Sequence, residues 1–325
     1  MLNLKIIKSS VVCAAVCTGL FGSAFAAEAT SGGRLEVLRQ GIAHDALFDV
    51  CFQGSTGTAV GVAGAALETS DNGATWKEGA ISIPASFFGV SCQESSTVAV
   101  GQTGAIARKA KGERWIPASS GTDNRLLSVD GNASGLVVAV GGFGAVLRST
   151  DDGLTWSQLR PDWQAILNDD LTEPHIYDVE VTEDGIITLV GEFSLILRSV
   201  DNGDTWTVQN KGDSSLFGLD FRNSSVGFAV GQSGMVLKTV DGGITWNDMS
   251  SSSVENILSI WSSEDEVLAI GIRTLLRSQD DGLSWQSIEE GDVAVQWYQS
   301  IKSAGDGSVV FVGHSGRIVQ VKKAM

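Results

Sequence analysis

The chain has 325 residues, 43% of them hydrophobic, with 38 acidic and 22 basic side chains and a net charge of −16. This charge argues against nucleic acid and anionic lipid as partners, because both are themselves negatively charged. The length is ample for a buried core within a single domain.

Residues 1–26 have the pattern of a secretory signal peptide. Lys5 and Lys8 form the charged start, residues 9–22 are apolar, and the small residues Ala24 and Ala26 predict cleavage after Ala26. The apolar stretch is too short for a membrane-spanning helix. Residues 27–325 are therefore expected to form a periplasmic or secreted bacterial protein that does not itself cross a membrane.

The next segment, residues 34–38, predicts a β-strand that belongs to no repeat. After it, the chain repeats one unit seven times, at steps of about 40 residues. Each unit has a short apolar strand and then a second strand that ends in an aliphatic residue and Gly. These pairs are Val60-Gly61, Val100-Gly101, Val140-Gly141, Val190-Gly191, Val230-Gly231, Ile270-Gly271 and Val312-Gly313. A repeat of this length with four strands per unit is typical of a β-propeller blade.

We therefore predict an all-β, seven-bladed β-propeller as a single domain over residues 27–325. The seventh unit reaches Val321 and lacks a fourth strand. The strand at residues 34–38 is expected to complete this last blade and close the ring, which hides two sheet edges. The strands of each blade are named A to D from the axis outward.

Five units share a turn between strands C and D, with the pattern hydroxyl-x-Asp-x-Gly-x-(Thr/Ser)-Trp. The Asp can accept backbone N–H bonds in a tight bend, the Gly supplies a positive φ, and the Trp brings apolar surface to the core. We assign a structural role to these residues: Asp71, Asp151, Asp201, Asp241 and Asp280, with Trp76, Trp156, Trp206, Trp246 and Trp285. The second unit keeps Trp115 but has Ala110 in place of the Asp.

The fourth unit carries an insertion of ten residues, near residues 158–175, which is the only break in the period. Long loops on a rigid ring are favourable places for binding surfaces. We predict a partner surface on the face formed by the D–A and B–C loops, with His175 and Glu192 at the channel mouth. Trp163 is its expected apolar anchor, although it could instead staple the insertion to the blade. Other side chains expected at this mouth are Arg125, Arg273 and His314.

Two further clusters allow a chemical interpretation. A metal site could be built from His175, Glu192 and either Asp169 or Asp170. Asp49 and Asp178 occupy the same position of strand A in two blades and could form a carboxylate pair across the axis. Because the sequence offers no support for either site beyond these residues, we predict no metal, no cofactor and no catalytic residue.

Two cysteines remain after the expected cleavage. Cys51 and Cys92 lie near the ends of consecutive A strands, offset by one strand position, and this offset turns their side chains to opposite faces. They could point toward each other across the blade interface and form a disulfide in an oxidising compartment. The alternative is that both are small buried apolar residues.

The repeat turn resembles the Asp box of sialidase-like and BNR-repeat proteins. The longer unit, best seen at residues 140–156 and 230–246, resembles more specifically the Ycf48/HCF136 family, and the similarity extends over residues 34–321. This resemblance implies a seven-bladed propeller that acts as a photosystem II assembly or stability factor. Photosynthetic members are associated with an arginine patch. The arginines of this chain are scattered, so we expect a bacterial relative with another partner.

The function expected from these features is that of a non-enzymatic, monomeric protein-interaction scaffold. Its partner is predicted to be a protein, such as a component of a membrane complex that the chain helps to assemble or stabilise. The alternative is a sialidase-like or other carbohydrate-active propeller. Sialidases use a Tyr nucleophile with an arginine triad. This chain has only Tyr177 and Tyr298, and it lacks an arginine-rich start motif.

Overall fold

A computed structural model of the protein describes residues 34–168 and 173–322. The expected signal peptide, with its cleavage site after Ala26, lies outside the described residues. So do Asp169 and Asp170 of the insertion. No helix within the described ranges is long and apolar enough to span a membrane.

The described residues form seven four-stranded antiparallel sheets, which are the blades of the predicted propeller. Blade 1 contains β2 (Leu47–Gln53), β3 (Thr56–Gly61), β4 (Ala65–Thr69) and β5 (Lys77–Ala80). Blade 2 contains β6 (Phe87–Cys92), β7 (Ser96–Gly101), β8 (Ile106–Ala110) and β9 (Ile116–Ala118). Blade 3 contains β10 (Leu126–Gly131), β11 (Val137–Gly141), β12 (Val146–Ser149) and β13 (Ser157–Leu159).

The remaining blades follow the same order. Blade 4 contains β14 (Ile176–Val181), β15 (Ile187–Gly191), β16 (Ile196–Ser199) and β17 (Thr207–Asn210). Blade 5 contains β18 (Leu216–Phe221), β19 (Gly227–Gly231), β20 (Val236–Thr239) and β21 (Asn247–Asp248). Blade 6 contains β22 (Ile257–Ser262), β23 (Val267–Gly271), β24 (Leu275–Ser278) and β25 (Gln286–Ser287). Blade 7 contains β26 (Tyr298–Ser303), β27 (Val309–Gly313), β28 (Ile318–Lys322) and, as its outer strand, β1 (Arg34–Arg39).

The N-terminal strand closes the ring, as predicted. β1 runs antiparallel to β28, with Leu35 opposite Val321 and Val37 opposite Val319. Each A strand also contacts the A strand of the next blade, and β26 contacts β2, so the seven A strands surround one central channel. The pairing of the first and last described strands therefore completes both blade 7 and the circle.

The core consists of seven apolar layers, one at each interface between adjacent blades. Both faces of a blade are therefore covered, and this explains why the B strands are continuous apolar runs rather than alternating ones. In β11, for example, all five residues of Val137–Gly141 are buried.

The Gly that ends each B strand is required by close backbone packing. A β-carbon at Gly61 would collide with the carbonyl oxygen of Ala46, which immediately precedes strand A of the same blade. Gly101 and Gly141 meet the equivalent carbonyls of Ser86 and Arg125. The aliphatic–Gly signal thus marks the point where strand B passes the start of strand A.

Two details differ from the sequence-based expectation or extend it. The D strands begin one residue after the Trp of the repeat turn, as at Lys77, rather than at the Trp itself. The insertion contains a short helix, α1 (Trp163–Leu167), whose N-cap residue Asp162 accepts a hydrogen bond from the Ala165 N–H at 3.0 Å.

A disulfide joins Cys51 of β2 to Cys92 of β6, with the two Cα atoms 5.5 Å apart. It connects the innermost strands of blades 1 and 2, and both residues line the channel. The bridge therefore links two neighbouring blades covalently at the centre of the ring.

Removal of the closing strand is expected to open the ring. A chain that starts at residue 42 should melt at a markedly lower temperature than one that starts at residue 33, because the shorter chain leaves β28 as an unpaired edge. Differential scanning calorimetry of the two purified chains measures the difference. Equal melting temperatures would contradict a stabilising role for β1.

Loss of the disulfide is expected to destabilise the protein without changing its fold. The bridge closes a loop with a sequence separation of 41 residues. Replacement of both Cys51 and Cys92 by Ser should lower the free energy of unfolding by about 2–4 kcal/mol, chiefly through the entropy of the unfolded chain. Urea titration under non-reducing conditions tests this. The wild type treated with reductant should show the same loss, and a stability unaffected by either change would count against the prediction.

Candidate functional site

The repeat turns use the oxygens of their Asp residues within the turn itself. Asp71 Oδ1 accepts hydrogen bonds from the Thr75 N–H at 2.9 Å and the Thr69 hydroxyl at 2.7 Å, and Oδ2 accepts from the Thr75 hydroxyl at 2.6 Å. The same three bonds recur around Asp151, Asp201, Asp241 and Asp280. They leave these carboxylates little capacity for a ligand.

The Trp and Gly of the turn are held by equally local contacts. Trp76 Nε1 donates to the Gly73 carbonyl at 2.8 Å, and Gly73 has a φ of 81°. Trp156 and Trp246 make the equivalent bonds, while Trp206 and Trp285 pack in the same way against their own interblade layers. These contacts fit the structural role expected for the turn.

A second set of carboxylates lines the central channel and ties neighbouring blades together. Asp130 Oδ2 accepts from the Val181 N–H at 2.8 Å, and Glu180 Oε2 accepts from the Phe221 N–H at 2.9 Å. Asp220 Oδ2 accepts from Ser262, through its N–H at 2.9 Å and its hydroxyl at 2.6 Å. Each bond runs from the fifth residue of one A strand to the sixth residue of the next.

Asp49 and Asp178 form a similar layer two residues earlier. Asp49 Oδ2 accepts from the Val90 N–H at 2.8 Å, and its Oδ1 accepts from the Ser300 hydroxyl at 2.6 Å. Asp178 is bound in the same way between blades 3 and 5, by the Ser128 hydroxyl and the Leu219 N–H. Both carboxylates are thus held between neighbouring strands, which disfavours a reactive pair.

Burial changes the acidity of these channel groups. It raises the pKa of Asp49 and of Asp130 to about 6. Burial also raises the pKa of Glu180, and the nearby charges of Asp220 and Asp130 add to this. One lysine, Lys302 of β26, faces the same cavity. Burial alone would lower its pKa, but the surrounding carboxylates raise it above the ordinary lysine value.

Above these layers, the channel mouth is lined by aromatic rings on the D–A and B–C face. One arc runs from Phe143 to His175, with ring centroids 5.0 Å apart, and continues through Tyr177 to Phe217, whose centroids are 5.1 Å apart. On the other side, Phe48 contacts Phe88 at 5.2 Å and Trp297 at 6.2 Å. We call these seven residues the aromatic mouth.

His175 and Glu192 lie together at this mouth. The His175 N–H donates to Glu192 Oε2 at 2.7 Å, and His175 Nδ1 accepts from the Phe143 N–H at 3.1 Å. The latter bond requires a lone pair on Nδ1. The imidazole is therefore oriented by its neighbours and packs as an aromatic ring between Phe143 and Tyr177.

Trp163 lies partly buried on α1, against the apolar layer between blades 3 and 4. Its indole approaches Gly144 so closely that a β-carbon there would collide with Nε1. Gly144 has a φ of 66°, so a side chain at this position would be strained as well. This packing is the staple geometry considered for Trp163 rather than that of a freely exposed anchor.

The other residues expected at the mouth differ in their surroundings. Arg125 is exposed, with its guanidinium 5.4 Å from the Phe88 ring centroid. Arg273 pairs with Glu255 at 3.1 Å and is also exposed. His314 contacts Trp297 of the aromatic mouth, with ring centroids 6.3 Å apart, rather than lying open to solvent. It is only 9% exposed, and its Nε2 lies 2.9 Å from Asp292 Oδ2.

His314 belongs to a partly buried network that connects blade 7 to the loop before it. Asp292 accepts hydrogen bonds from the Tyr298 hydroxyl at 2.6 Å and pairs with Arg317 at 2.8 Å. Arg317 in turn donates to Gln40 Oε1, just after β1. The side chain of His314 thus takes part in contacts that help to close the ring. The spacing of the repeat could not reveal this role.

The described residues contain no group of three His, Cys, Asp or Glu side chains arranged to hold a metal ion. His175 and Glu192 adjoin each other through a backbone bond, and the two Asp residues considered with them lie outside the described ranges. The channel residues Asp130, Glu180, Asp220 and Lys302 were missed by the sequence analysis. An alignment of the seven A strands by position would have placed all four at the fifth residue.

Protonation of the channel carboxylates and protonation of the repeat-turn carboxylates should have opposite effects on stability. Between about pH 6 and pH 4 the folded state binds more protons than the unfolded chain, because the pKa of Asp49 and of Asp130 lies near 6, against about 3.9 when unfolded. Below about pH 4 the sign reverses, because the pKa of Asp71 and of Asp201 is about 2, lowered first by the Thr75 and Thr205 hydroxyls. Urea titrations should show the greatest stability at about pH 4–5.

The substitution Glu180→Gln provides the matched control. It removes a carboxylate whose pKa is raised by burial, and it keeps an acceptor for the Phe221 N–H. The variant should be more stable than the wild type at about pH 7.5 and should gain less on acidification. A wild type whose stability falls steadily from about pH 7 to pH 4 would refute this account of the channel.

Comparison with known proteins places this geometry in context. A model of the family described as photosynthesis system II assembly factor YCF48 matches residues 207–324. YCF48 bound to a D1 peptide has a similar structure, with 19% identity, a TM-score of 0.71, and coverage of 89% of this chain and 97% of that one. YCF48 from Cyanidioschyzon merolae has 19% identity, a TM-score of 0.72, and coverage of 89% and 98%.

The fold is shared more widely than the sequence. A streptogramin B lyase has a TM-score of 0.76 at 14% identity and covers 90% of this chain and 98% of its own. Comparison with curated protein sequences finds no significant match. At such identities the solved structures establish a common fold, and the family model adds a sequence match from the outer strand of blade 4 to the end of blade 7. Together they confirm the resemblance inferred from the repeats: this chain is a seven-bladed β-propeller that is similar to YCF48.

Proposed function

We propose that the chain is a non-catalytic protein-binding propeller, which acts as an assembly or accessory factor for a membrane complex outside the cytoplasm. Its partner binds at the aromatic mouth and on the adjacent B–C loops of blades 3 and 4. The observation that carries this proposal is the pair Phe143 and Phe193, two exposed aromatic side chains held in a backbone conformation that disfavours them.

Every B–C loop uses a left-handed backbone at the same position, two residues after the Gly of strand B. The residues there have φ values from 51° to 61°: Ala63, Thr103, Phe143, Phe193, Ser233, Arg273 and Ser315. The turn itself therefore imposes this conformation, which costs an ordinary residue roughly 1–2 kcal/mol and which glycine adopts readily. Phe143 contacts the ring of His175, yet most of its own side chain stays exposed, so the fold offsets this cost only in part.

The two Phe side chains are also poorly covered. Phe143 is 62% exposed and Phe193 is 39% exposed, although both are large apolar groups. Strained residues cluster at functional sites, and aromatic residues dominate the binding energy of protein interfaces. A partner that covers both rings would offset the backbone cost and the exposure together.

The comparisons support a protein as the partner. One of the similar structures is YCF48 with a D1 peptide bound, and the family model describes an assembly factor. The acidic charge of this chain and its scattered arginines favour a different partner from that of the photosynthetic relatives. Location outside the cytoplasm is supported by the signal-like residues 1–26 and by the disulfide, which persists in oxidising compartments.

A carbohydrate-active enzyme is the competing function. The similarity to a lyase propeller shows that this fold can carry catalysis in another protein. Here, however, Asp49 and Asp178 each accept three hydrogen bonds, two from neighbouring strands and one from the N–H of the next residue, and are fixed as parts of the channel wall. Hydrolysis of chromogenic glycosides, abolished by Asp49→Asn or Asp178→Asn, would overturn the proposal.

Replacement of Phe143 and Phe193 by Gly should separate binding from stability. Because Gly tolerates a positive φ, the double variant should melt at the same temperature as the wild type or at a higher one. Its capture of the principal partner, by affinity purification from detergent extracts of the source organism and mass spectrometry, should fall at least tenfold.

The matched control replaces Leu154 and Leu283 by Ala. These exposed apolar residues lie in repeat turns, on the face opposite the mouth, and are 51% and 76% exposed. This variant should capture the partner as the wild type does. Full capture by the Phe variant, or equal losses in both variants, would rule out the mouth as the binding surface.

A further inference from the structure

Building on the proposed function, we propose that the channel beneath the aromatic mouth receives one long basic side chain, an arginine or a lysine, from the bound partner. The apolar neighbours of that residue then rest on the aromatic mouth. The occupant is thus a peptide segment in which a single cation is flanked by apolar or aromatic residues.

The channel offers space for such a side chain directly below the rings. Its cavity has a volume of about 420 Å³ and is lined by the A strands of all seven blades. At the level of the mouth, the lining comes from the second residue of each A strand: Phe48, Phe88, Leu127, Tyr177, Phe217, Leu258 and Gln299. Six of these seven side chains are largely apolar, so they form a collar around the entrance.

Below the collar the lining becomes predominantly acidic. Five carboxylates face the same cavity: Asp49, Asp130, Asp178, Glu180 and Asp220. Lys302 faces it too, and its charge is attracted by several of them at once. Arg222 lines the opposite end, but it pairs with Asp281 at 2.9 Å and donates to the Ser263 carbonyl. The carboxylates of the cavity therefore outnumber its cations, and this excess of negatively charged acceptors complements a cation from outside.

Two of the carboxylates have an oxygen that remains available. The hydrogen bonds that other described residues donate to Glu180 reach only Oε2, and those donated to Asp220 reach only Oδ2. Glu180 Oε1 and Asp220 Oδ1 accept none from the described part of the chain. The two groups lie on adjacent A strands, and the charge of Asp220 adds to the effect of burial in raising the pKa of Glu180. A cation placed between them would relieve the repulsion between their charges and fill both open acceptor positions.

The depth of the site favours a long side chain. The collar is three residues along strand A from Glu180 and Asp220, which is roughly 10 Å at the usual strand rise. Histidine is too short to span this distance from a backbone resting on the collar. Arginine fits best, since its planar guanidinium can bind two carboxylates and can also stack on aromatic faces during entry.

The first test uses three short peptides as probes: acetyl-Phe-Arg-Phe-amide, its lysine analogue and its citrulline analogue, which keeps the shape of arginine but not the charge. Isothermal titration calorimetry at about pH 7.5 should give at least tenfold weaker binding for citrulline than for arginine. The ¹³C carboxyl resonances of Glu180 and Asp220 should shift with the arginine peptide alone or with both cationic peptides. Equal affinities for arginine and citrulline would overturn the proposal.

Matched variants locate the effect in the channel. Glu180→Gln with Asp220→Asn keeps an acceptor for each neighbouring N–H and should weaken the arginine peptide at least tenfold, leaving the citrulline peptide unchanged. Glu289→Gln removes one exposed charge outside the cavity and should have little effect. Binding of the arginine peptide should also weaken from about pH 8 to pH 5, as the channel carboxylates become protonated. An affinity for the arginine peptide that changes neither in the channel variant nor with pH would refute the inference.

Capture of the natural partner distinguishes this inference from the function on which it rests. Loss of capture with Phe143→Gly/Phe193→Gly, together with full capture by Glu180→Gln/Asp220→Asn, would leave the binding function intact and refute the channel's role. Loss with both pairs supports both proposals. Full capture with both pairs would refute both.

Discussion

The structure depends on how the innermost strands of adjacent blades are joined. A propeller blade has no sheet hydrogen bonds to its neighbours, so the ring must be held by side chains. In most of its thickness this is done by the apolar layers between blades. At the axis, where the strands line a cavity, carboxylates take over this role. They accept hydrogen bonds from N–H groups of the next strand, as Glu180 does from Phe221. The disulfide Cys51–Cys92 connects the same fifth and sixth positions between blades 1 and 2, so a covalent bond there replaces a carboxylate–amide bond.

This solution has an electrostatic consequence. The carboxylates that join the strands by hydrogen bonds all line one narrow cavity, where burial disfavours their charged forms. Lys302 offsets part of that charge from blade 7. The negative charge that remains makes the channel strongly polar, whereas the collar above it is apolar. A structural device for joining blades thereby also produces a chemically distinctive cavity at the centre of the binding face.

The sequence was sufficient for the fold because its signals come from local chemistry repeated seven times. The aliphatic–Gly pair marks a backbone crossing, the Asp–Gly–Trp turn marks the C–D bend, and the unpaired strand at residues 34–38 had only one incomplete blade to join. The site was harder to predict, because it depends on contacts between distant residues. The burial of His314 against Asp292 and the packing of Trp163 on Gly144 follow from loop paths that the period does not encode. Phe143 and Phe193 stand out only once the left-handed backbone of the B–C loops is known.

The antiparallel pairing of β1 with β28 also determines how the propeller can be presented to a partner. Strand β28 runs away from the B–C face, so its last residues, with Arg34 opposite Lys322, lie at the far face of the ring. Both ends of the described chain therefore leave the propeller together, on the side away from the aromatic mouth. A tether, a fused domain or an immobilising tag joined at either end would attach to the face opposite the aromatic mouth. The mouth would then point away from the attachment.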